Sequence, residues 1–161
     1  VNYLMGLLSM QVQANISKFN KLDIRILFLG NKDGIPESAY KGLMKAVEAT
    51  KNNTTLTVQL AINYGGWDEI ARAINKALSA GISSFTPETL LSFVDNPSVP
   101  LPDMIVRSAG EERLSGFLLL QSNYSEFGFY DRLWPDWDES MVDRIVSDYQ
   151  SRTRKYGGLV K

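Results

Sequence analysis

Between Arg107 and Glu126 the chain spaces its charged and hydroxyl residues as a site for a multiply charged anion would require. Arg107 ends a short apolar run, residues 104–106, that reads as a buried strand. A turn of small residues follows (Ser108, Ala109, Gly110), and then Glu111, Arg113 and Ser115 stand at alternate positions. Residues 117–121 resume a helical pattern, with Ser115 placed as its N-cap. Two guanidiniums, a hydroxyl and a helix N-terminus at one strand end suit a phosphate or diphosphate. Arginine grips phosphate oxygens in pairs, and unpaired backbone N–H groups at a helix start face the anion. Glu126 stands at the far end of that expected helix, and a carboxylate near a diphosphate usually implies Mg²⁺. The competing reading of the same residues is a surface network of arginines and glutamates after a strand.

The elements that must carry these residues alternate. Residues 23–29 (DIRILFL) read as a strand ended by Gly30-Asn31, and residues 56–62 as a second buried strand ended by Asn63-Tyr64-Gly65-Gly66. Helices are expected from Pro36, over about 67–78, from Thr86-Pro87-Glu88 to Val94, and over about 139–154. A fourth strand is expected over residues 127–130. Strands alternating with helices imply one α/β domain with a mostly parallel central sheet flanked by helices. In such a sheet the carboxyl ends of the strands share a rim, so Asn31, Asn63-Tyr64-Gly65 and Arg107 are expected on one edge. The opening residues 1–12 are apolar nearly all round, which calls for burial or for a greasy lining. Leu133-Trp134-Pro135-Asp136-Trp137 reads as a rigid aromatic turn.

Composition excludes several chemistries. The 161 residues contain no cysteine and no histidine, so disulfides, thiolate metal sites and imidazole catalysis are ruled out. A metal would have to be held by oxygen. The net charge of −1 argues against a broad nucleic-acid surface. No run approaches the ~18 apolar residues of a membrane span and no signal peptide is visible, so a cytoplasmic location is the default.

The blocks R-S-A-G-E-x-R-L-S-x-F-L-L-x-Q, Y-S-E-F and L-W-P-D-W, with N-Y-G-G upstream and R-K-Y-G-G downstream, closely resemble the signature of cis-prenyltransferases, the family of undecaprenyl diphosphate synthase (isoprenyl transferase). The resemblance implies an enzyme that condenses isopentenyl diphosphate with an allylic diphosphate such as farnesyl diphosphate, using Mg²⁺, to make a long-chain polyprenyl diphosphate for a cell-wall lipid carrier. It implies that Arg107 and Arg113, with Ser115 and the backbone around Leu114, hold the diphosphate of isopentenyl diphosphate. Glu126 matches the family's metal-associated carboxylate. Glu111 would orient the arginines or the metal-bound substrate, or serve as a plain ion-pair partner. Arg154 and Gly157-Gly158 match a C-terminal element that reaches the neighbouring subunit's diphosphate site in a homodimer, and the glycines also read as a helix stop. The growing chain would thread an apolar tunnel walled by the opening helix and residues 56–62, with peripheral membrane contact for product release.

Three departures stand out. The family's N-terminal Asp-Gly-Asn-Gly-Arg-Trp loop, which carries the expected catalytic Asp, has no counterpart here. The sequence therefore reads as the larger C-terminal part of such a domain, inactive by itself. Trp67 stands where Arg usually follows Asn-Tyr-Gly-Gly, and Gly116 where Asn usually follows the matched Ser. The alternative reading is a non-catalytic partner subunit or degenerate paralogue.

Overall fold

The structure is a computed structural model that describes residues 2–153. Val1 and the Arg154-Lys155-Tyr156-Gly157-Gly158 stretch lie outside the described residues. The chain divides into two compact units, one running to Ser98 and the other starting at Val99.

The first unit holds α1 (Asn2–Ala14), α2 (Ile16–Lys21), β1 (Ile24–Leu29), α3 (Glu37–Ala49), β2 (Leu56–Ala61), α4 (Gly66–Ser79) and α5 (Pro87–Leu91). β1 and β2 pair in parallel, from Ile24 opposite Leu56 to Leu29 opposite Ala61, as a helical crossover between two apolar strands requires. Polar side chains set the start of this ladder. Asp23, at φ +53, accepts hydrogen bonds from the Thr54 and Thr55 amides at 3.1 and 2.7 Å. Fully buried Thr50 accepts from the Ile26 amide at 2.9 Å and donates to the Ala46 carbonyl at 2.8 Å. Val12, Leu43, Ala46 and Ile62 form the core of this unit, with Leu8, Phe19 and Phe28 packed against it.

α1 covers only part of its apolar circumference. Val12 is buried on the side facing α3, whereas Tyr3 and Leu4 are 80% and 61% exposed and Leu7 and Met10 also face outward. The two helices cross closely because Gly42 has no side chain: a Cβ there would lie 2.0 Å from Ser9 Oγ and 2.3 Å from Gln13 Nε2. Gly42→Ala is therefore expected to cost about 1–3 kcal/mol, the usual penalty for overpacking a tight contact, read as a lower urea midpoint with an unchanged slope.

The second unit holds β3 (Met104–Arg107), β4 (Glu126–Phe129), a 3₁₀ turn (Trp134–Asp136) and α6 (Glu139–Gln150). β3 and β4 are again parallel, from Met104 opposite Glu126 to Arg107 opposite Phe129. The α/β class and the parallel pairing expected from the sequence are both present. The helix expected over 117–121 is not. Ser115, Gly116 and Leu118 take φ +50, +79 and +47, and left-handed residues cannot open a right-handed helix. The chain runs through turns from Ser115 to Tyr124 instead, with the Phe117 amide bonded to the Leu114 carbonyl at 3.0 Å.

α6 ends at Gln150, four residues before its expected end, with Ser151 as its C-cap. Its N-cap, Asp138, accepts from the Met141 amide at 3.1 Å and from Ser140 Oγ at 2.6 Å and pairs with Arg132 at 3.1 Å. The Ser140 hydroxyl first, then Arg132 and the Met141 amide, hold the Asp138 carboxyl down at about 2. A depressed carboxyl stabilises the fold above its unfolded value and loses that contribution as pH falls through the folded one. α6 should thus fray between pH 3.8 and about 2. Asp138→Ala should remove that acid-side change while lowering the neutral-pH melting temperature, followed by circular dichroism. Among the described residues no helix is long and apolar enough to cross a membrane.

Candidate active site

Four of the residues singled out by sequence converge at the carboxyl end of β3. Two left-handed residues, Ala109 and Gly110 (φ +62 and +64), turn the chain directly after the strand. Three backbone bonds fix this turn: Ala109 N–H to the Arg132 carbonyl at 3.1 Å, Gly110 N–H to the Tyr130 carbonyl at 3.0 Å, and Tyr130 N–H to the Arg107 carbonyl at 2.9 Å. Gly110 also leaves room for Asp131, whose Oδ1 would lie 3.1 Å from a Cβ at this position.

Within this frame Arg107 Nη1 donates to the Arg113 carbonyl and, at 3.1 Å, to Ser115 Oγ. Arg113 in turn makes an ion pair with Glu111. Arg107 is half-buried and shapes the loop, while the Arg113 side chain is 65% exposed and free to move onto a ligand. The left-handed backbone at Ser115 brings its hydroxyl back over Arg107. Leu114 is half-buried, and its carbonyl accepts from the Phe117 amide at 3.0 Å. The arrangement offers two guanidiniums and a hydroxyl to one anion, without the helix N-terminus expected there. Multidentate donation of this kind suits a phosphate or diphosphate better than a lone carboxylate.

Glu126 lies elsewhere. It opens β4 opposite Met104, three residues and about 10 Å along the ladder from the level of Arg107. Residues paired across a parallel ladder point to the same side and sides alternate along a strand, so Glu126 and Arg107 also point to opposite faces. Glu126 Oε2 accepts from Arg152 Nη1 at 2.9 Å. No group of three or more Asp or Glu side chains that could hold a metal ion occurs among the described residues. Glu126 thus stands apart from that loop, with one carboxylate oxygen paired to Arg152. Gly157 lies outside the described residues.

The first unit carries a second polar cluster, at the carboxyl ends of β1 and β2, that sequence reasoning did not assemble. Asn63, at φ +48, donates to the carbonyls of Asn31 and Asp33 at 3.0 and 2.7 Å, tying the two strand ends together. Glu69 is 1% exposed; its carboxyl accepts from Tyr64 Oη at 2.6 Å and from the Asp95 amide at 3.0 Å. Asp95 accepts from the Gly30 amide at 3.1 Å, from Arg72 at 2.5 and 2.7 Å and from Lys76 at 3.1 Å. Burial pushes the Asp95 carboxyl up, but the Arg72 and Lys76 hydrogen bonds outweigh it and hold it below the ordinary value. The Asp95 hydrogen bond, with a smaller contribution from Asp68, raises the Arg72 guanidinium further. The only local signal was the Asp68–Arg72 spacing on one helix face; Asp95 is too distant in sequence to be paired by pattern. Trp67, the departure noted above, is 77% exposed on the first turn of α4.

The chain is similar to known proteins over nearly its whole length. Residues 1–157 match the prenyltransferase family model described as undecaprenyl diphosphate synthase. The isoprenyl transferase of Neisseria gonorrhoeae is 37% identical over 157 residues, which cover 98% of this chain and 63% of that protein. The chain thus spans somewhat under two thirds of that relative's length. Among solved structures, a probable undecaprenyl diphosphate synthase from Campylobacter jejuni superposes with a TM-score of 0.87 at 29% identity, covering 97% of this chain and 74% of that one. Lavandulyl diphosphate synthase from Lavandula x intermedia, in complex with dimethylallyl diphosphate, gives 0.90 at 27% identity, covering 98% and 71%. The family model spans nearly the whole of the chain, which belongs to the undecaprenyl diphosphate synthase family of cis-prenyltransferases.

Proposed function

We propose that the chain takes part in cis-prenyl transfer, condensing isopentenyl diphosphate with an allylic diphosphate. The observation that carries this reading is the convergence of Arg107, Arg113 and Ser115 on the loop after β3 in a member of this family. Arg107 and Ser115 are already fixed to each other, so the loop need not be ordered when diphosphate arrives. Arg113 turns one edge of its guanidinium to the diphosphate while Glu111 keeps hold of the other. The Leu114 backbone links the Arg113 carbonyl to Ser115, both of which Arg107 engages. Stabilising phosphate charge by preoriented donors is the main protein contribution such a transfer needs. As the bond from the allylic carbon to its diphosphate breaks, the double bond of isopentenyl diphosphate forms the new carbon–carbon bond, and a proton leaves.

The finer reading takes farnesyl diphosphate as primer, a long-chain polyprenyl diphosphate for a cell-wall lipid carrier as product, a cytoplasmic homodimer as the working form, and peripheral membrane contact for release. The uncovered side of α1, with Tyr3, Leu4, Leu7 and Met10, offers apolar surface for a growing prenyl chain. The lavandulyl diphosphate synthase structure, with its bound dimethylallyl diphosphate, supports an allylic diphosphate as co-substrate. Mg²⁺ belongs to this reading as the cation that accompanies diphosphates. The described residues do not build its site, and no step above is routed through it. Incubating the full natural protein with labelled isopentenyl diphosphate, farnesyl diphosphate and Mg²⁺ should give butanol-extractable labelled products longer than the primer. Absence of extractable label with a folded protein would sink the reading.

A further inference from the structure

We infer that Asp95 and Asn96 form a strap that stands in for a neighbouring strand along the outer edge of β1, and that this strap keeps β1 from pairing with a second copy of the chain. In the β1–β2 ladder alternate residues face the partner strand. The Leu29 carbonyl accepts from the Ile62 amide at 3.0 Å, and just past the strand the Asn31 amide donates to the Asn63 carbonyl at 3.1 Å. The backbone groups of Ile24, Ile26, Phe28 and Gly30 therefore face the other way. Such a row beside an apolar strand, IRILFL, is a template for another strand unless something covers it.

Side chains cover it here. At the start of β1, Asn53 Nδ2 donates to the Ile24 carbonyl at 2.8 Å and Thr50 Oγ1 accepts from the Ile26 amide at 2.9 Å. At its end, Asn96 Nδ2 donates to the Phe28 carbonyl at 2.9 Å and Asp95 Oδ2 accepts from the Gly30 amide at 3.1 Å. Donors meet carbonyls and acceptors meet amides, as a paired strand would arrange them. Between the two pairs only the Ile26 carbonyl and the Phe28 amide are left, enough for one residue of a neighbour.

Thr50 and Asn53 arrive with the connection from α3 to β2, whereas the strap comes from 65 and 68 residues away in sequence. Successive side chains of an extended chain point apart. Both reach one edge because Asn96 is left-handed, at φ +51, a conformation that asparagine tolerates. The strap is also anchored apart from β1. Asn96 Nδ2 donates to Gln59 Oε1 at 2.8 Å, and the Asp95 amide donates to Glu69 at 3.0 Å. The Asp95 side chain is 12% exposed and is gripped by Arg72 and Lys76 of α4. Arg72 pairs in turn with Asp68 at 2.7 Å. The sealing of this edge is independent of the prenyl-transfer reading.

Amide exchange of the full natural protein, resolved residue by residue by NMR, tests the strap, with sedimentation velocity at rising concentration beside it. In Asp95→Ala the Gly30 amide should exchange about three- to tenfold faster, the loss of roughly one hydrogen bond. The Asn31 amide, bonded to the Asn63 carbonyl past the end of β2, should keep its wild-type rate. Asn96→Gly, which permits the same left-handed backbone, should give the same alternation. The double variant, Asp95→Ala with Asn96→Gly, should associate at concentrations where the wild type keeps its own assembly state. In the associated form the Phe28 and Gly30 amides should regain protection, as strand pairing requires. An unchanged Gly30 rate, equal acceleration of Gly30 and Asn31, or an opened edge with the wild-type assembly state would each overturn the proposal. If the double variant fails to fold, Asn96→Gly alone decides on the same readouts.

Discussion

Arg107→Ala is expected to lower kcat/KM for isopentenyl diphosphate about a hundredfold or more, the scale seen when a preoriented donor to a developing or bound oxyanion is removed. Two losses add in this variant. The anion loses one guanidinium, and the loop loses the hydrogen bonds that fix the Arg113 carbonyl and Ser115 Oγ relative to β3. Arg107→Lys should recover only a small part. A single ammonium supplies charge but cannot present a planar set of donors to a carbonyl, a hydroxyl and a phosphate together. Arg113→Ala should act mainly through KM, because the exposed Arg113 side chain contributes to binding without shaping the loop. Steady-state kinetics with both substrates varied, beside a thermal melt of each variant, checks all three. A drop of less than threefold for Arg107→Ala would remove the loop from the binding site.

The largest stability effect is expected at Glu69. Glu69→Ala removes a 1% exposed carboxylate that accepts from both the Tyr64 hydroxyl and the Asp95 amide. Losing two such hydrogen bonds to a buried charged group costs about 3 kcal/mol in total, or roughly 6–12 °C in melting temperature for a chain of this size. Glu69→Gln should cost only about 1 kcal/mol. The Asp95 amide can still donate to the Gln oxygen, and the Tyr64 hydroxyl, which can accept as well as donate, can turn to meet the amide nitrogen. Equilibrium urea unfolding distinguishes the two variants. Equal losses for Ala and Gln would show that the cluster needs a carboxylate and not merely hydrogen-bonding capacity.

The elements that sequence reveals here are those specified locally. The first two strands fall within a residue of their expected limits, because their apolar, β-branched runs end at glycine or asparagine. Thr86 was legible as an N-cap, and it accepts from the Thr89 amide as that role requires. Arg107, Glu111, Arg113 and Ser115 were legible as a group because they lie within nine residues of one strand end. The helix expected after Ser115 failed because periodicity records side chains and not backbone handedness. Gly116, noted as a departure from the family pattern, was the residue that hinted at a left-handed turn. The Glu69–Asp95–Arg72 cluster and the Glu126–Arg152 pair were illegible for another reason. Their partners stand 23 to 26 residues apart, and charged residues at such separations pair in too many ways for sequence alone to choose.

The loop from Arg107 to Ser115 is expected to receive a diphosphate. Titrating the protein with inorganic pyrophosphate in a calorimeter, with no prenyl donor or acceptor present, addresses it without relying on turnover. The expected result is one saturable site in the wild type, weakened at least tenfold in Arg107→Ala and in Arg113→Ala and unchanged in Glu69→Gln. Equal pyrophosphate affinity in the wild type and both arginine variants would contradict the account.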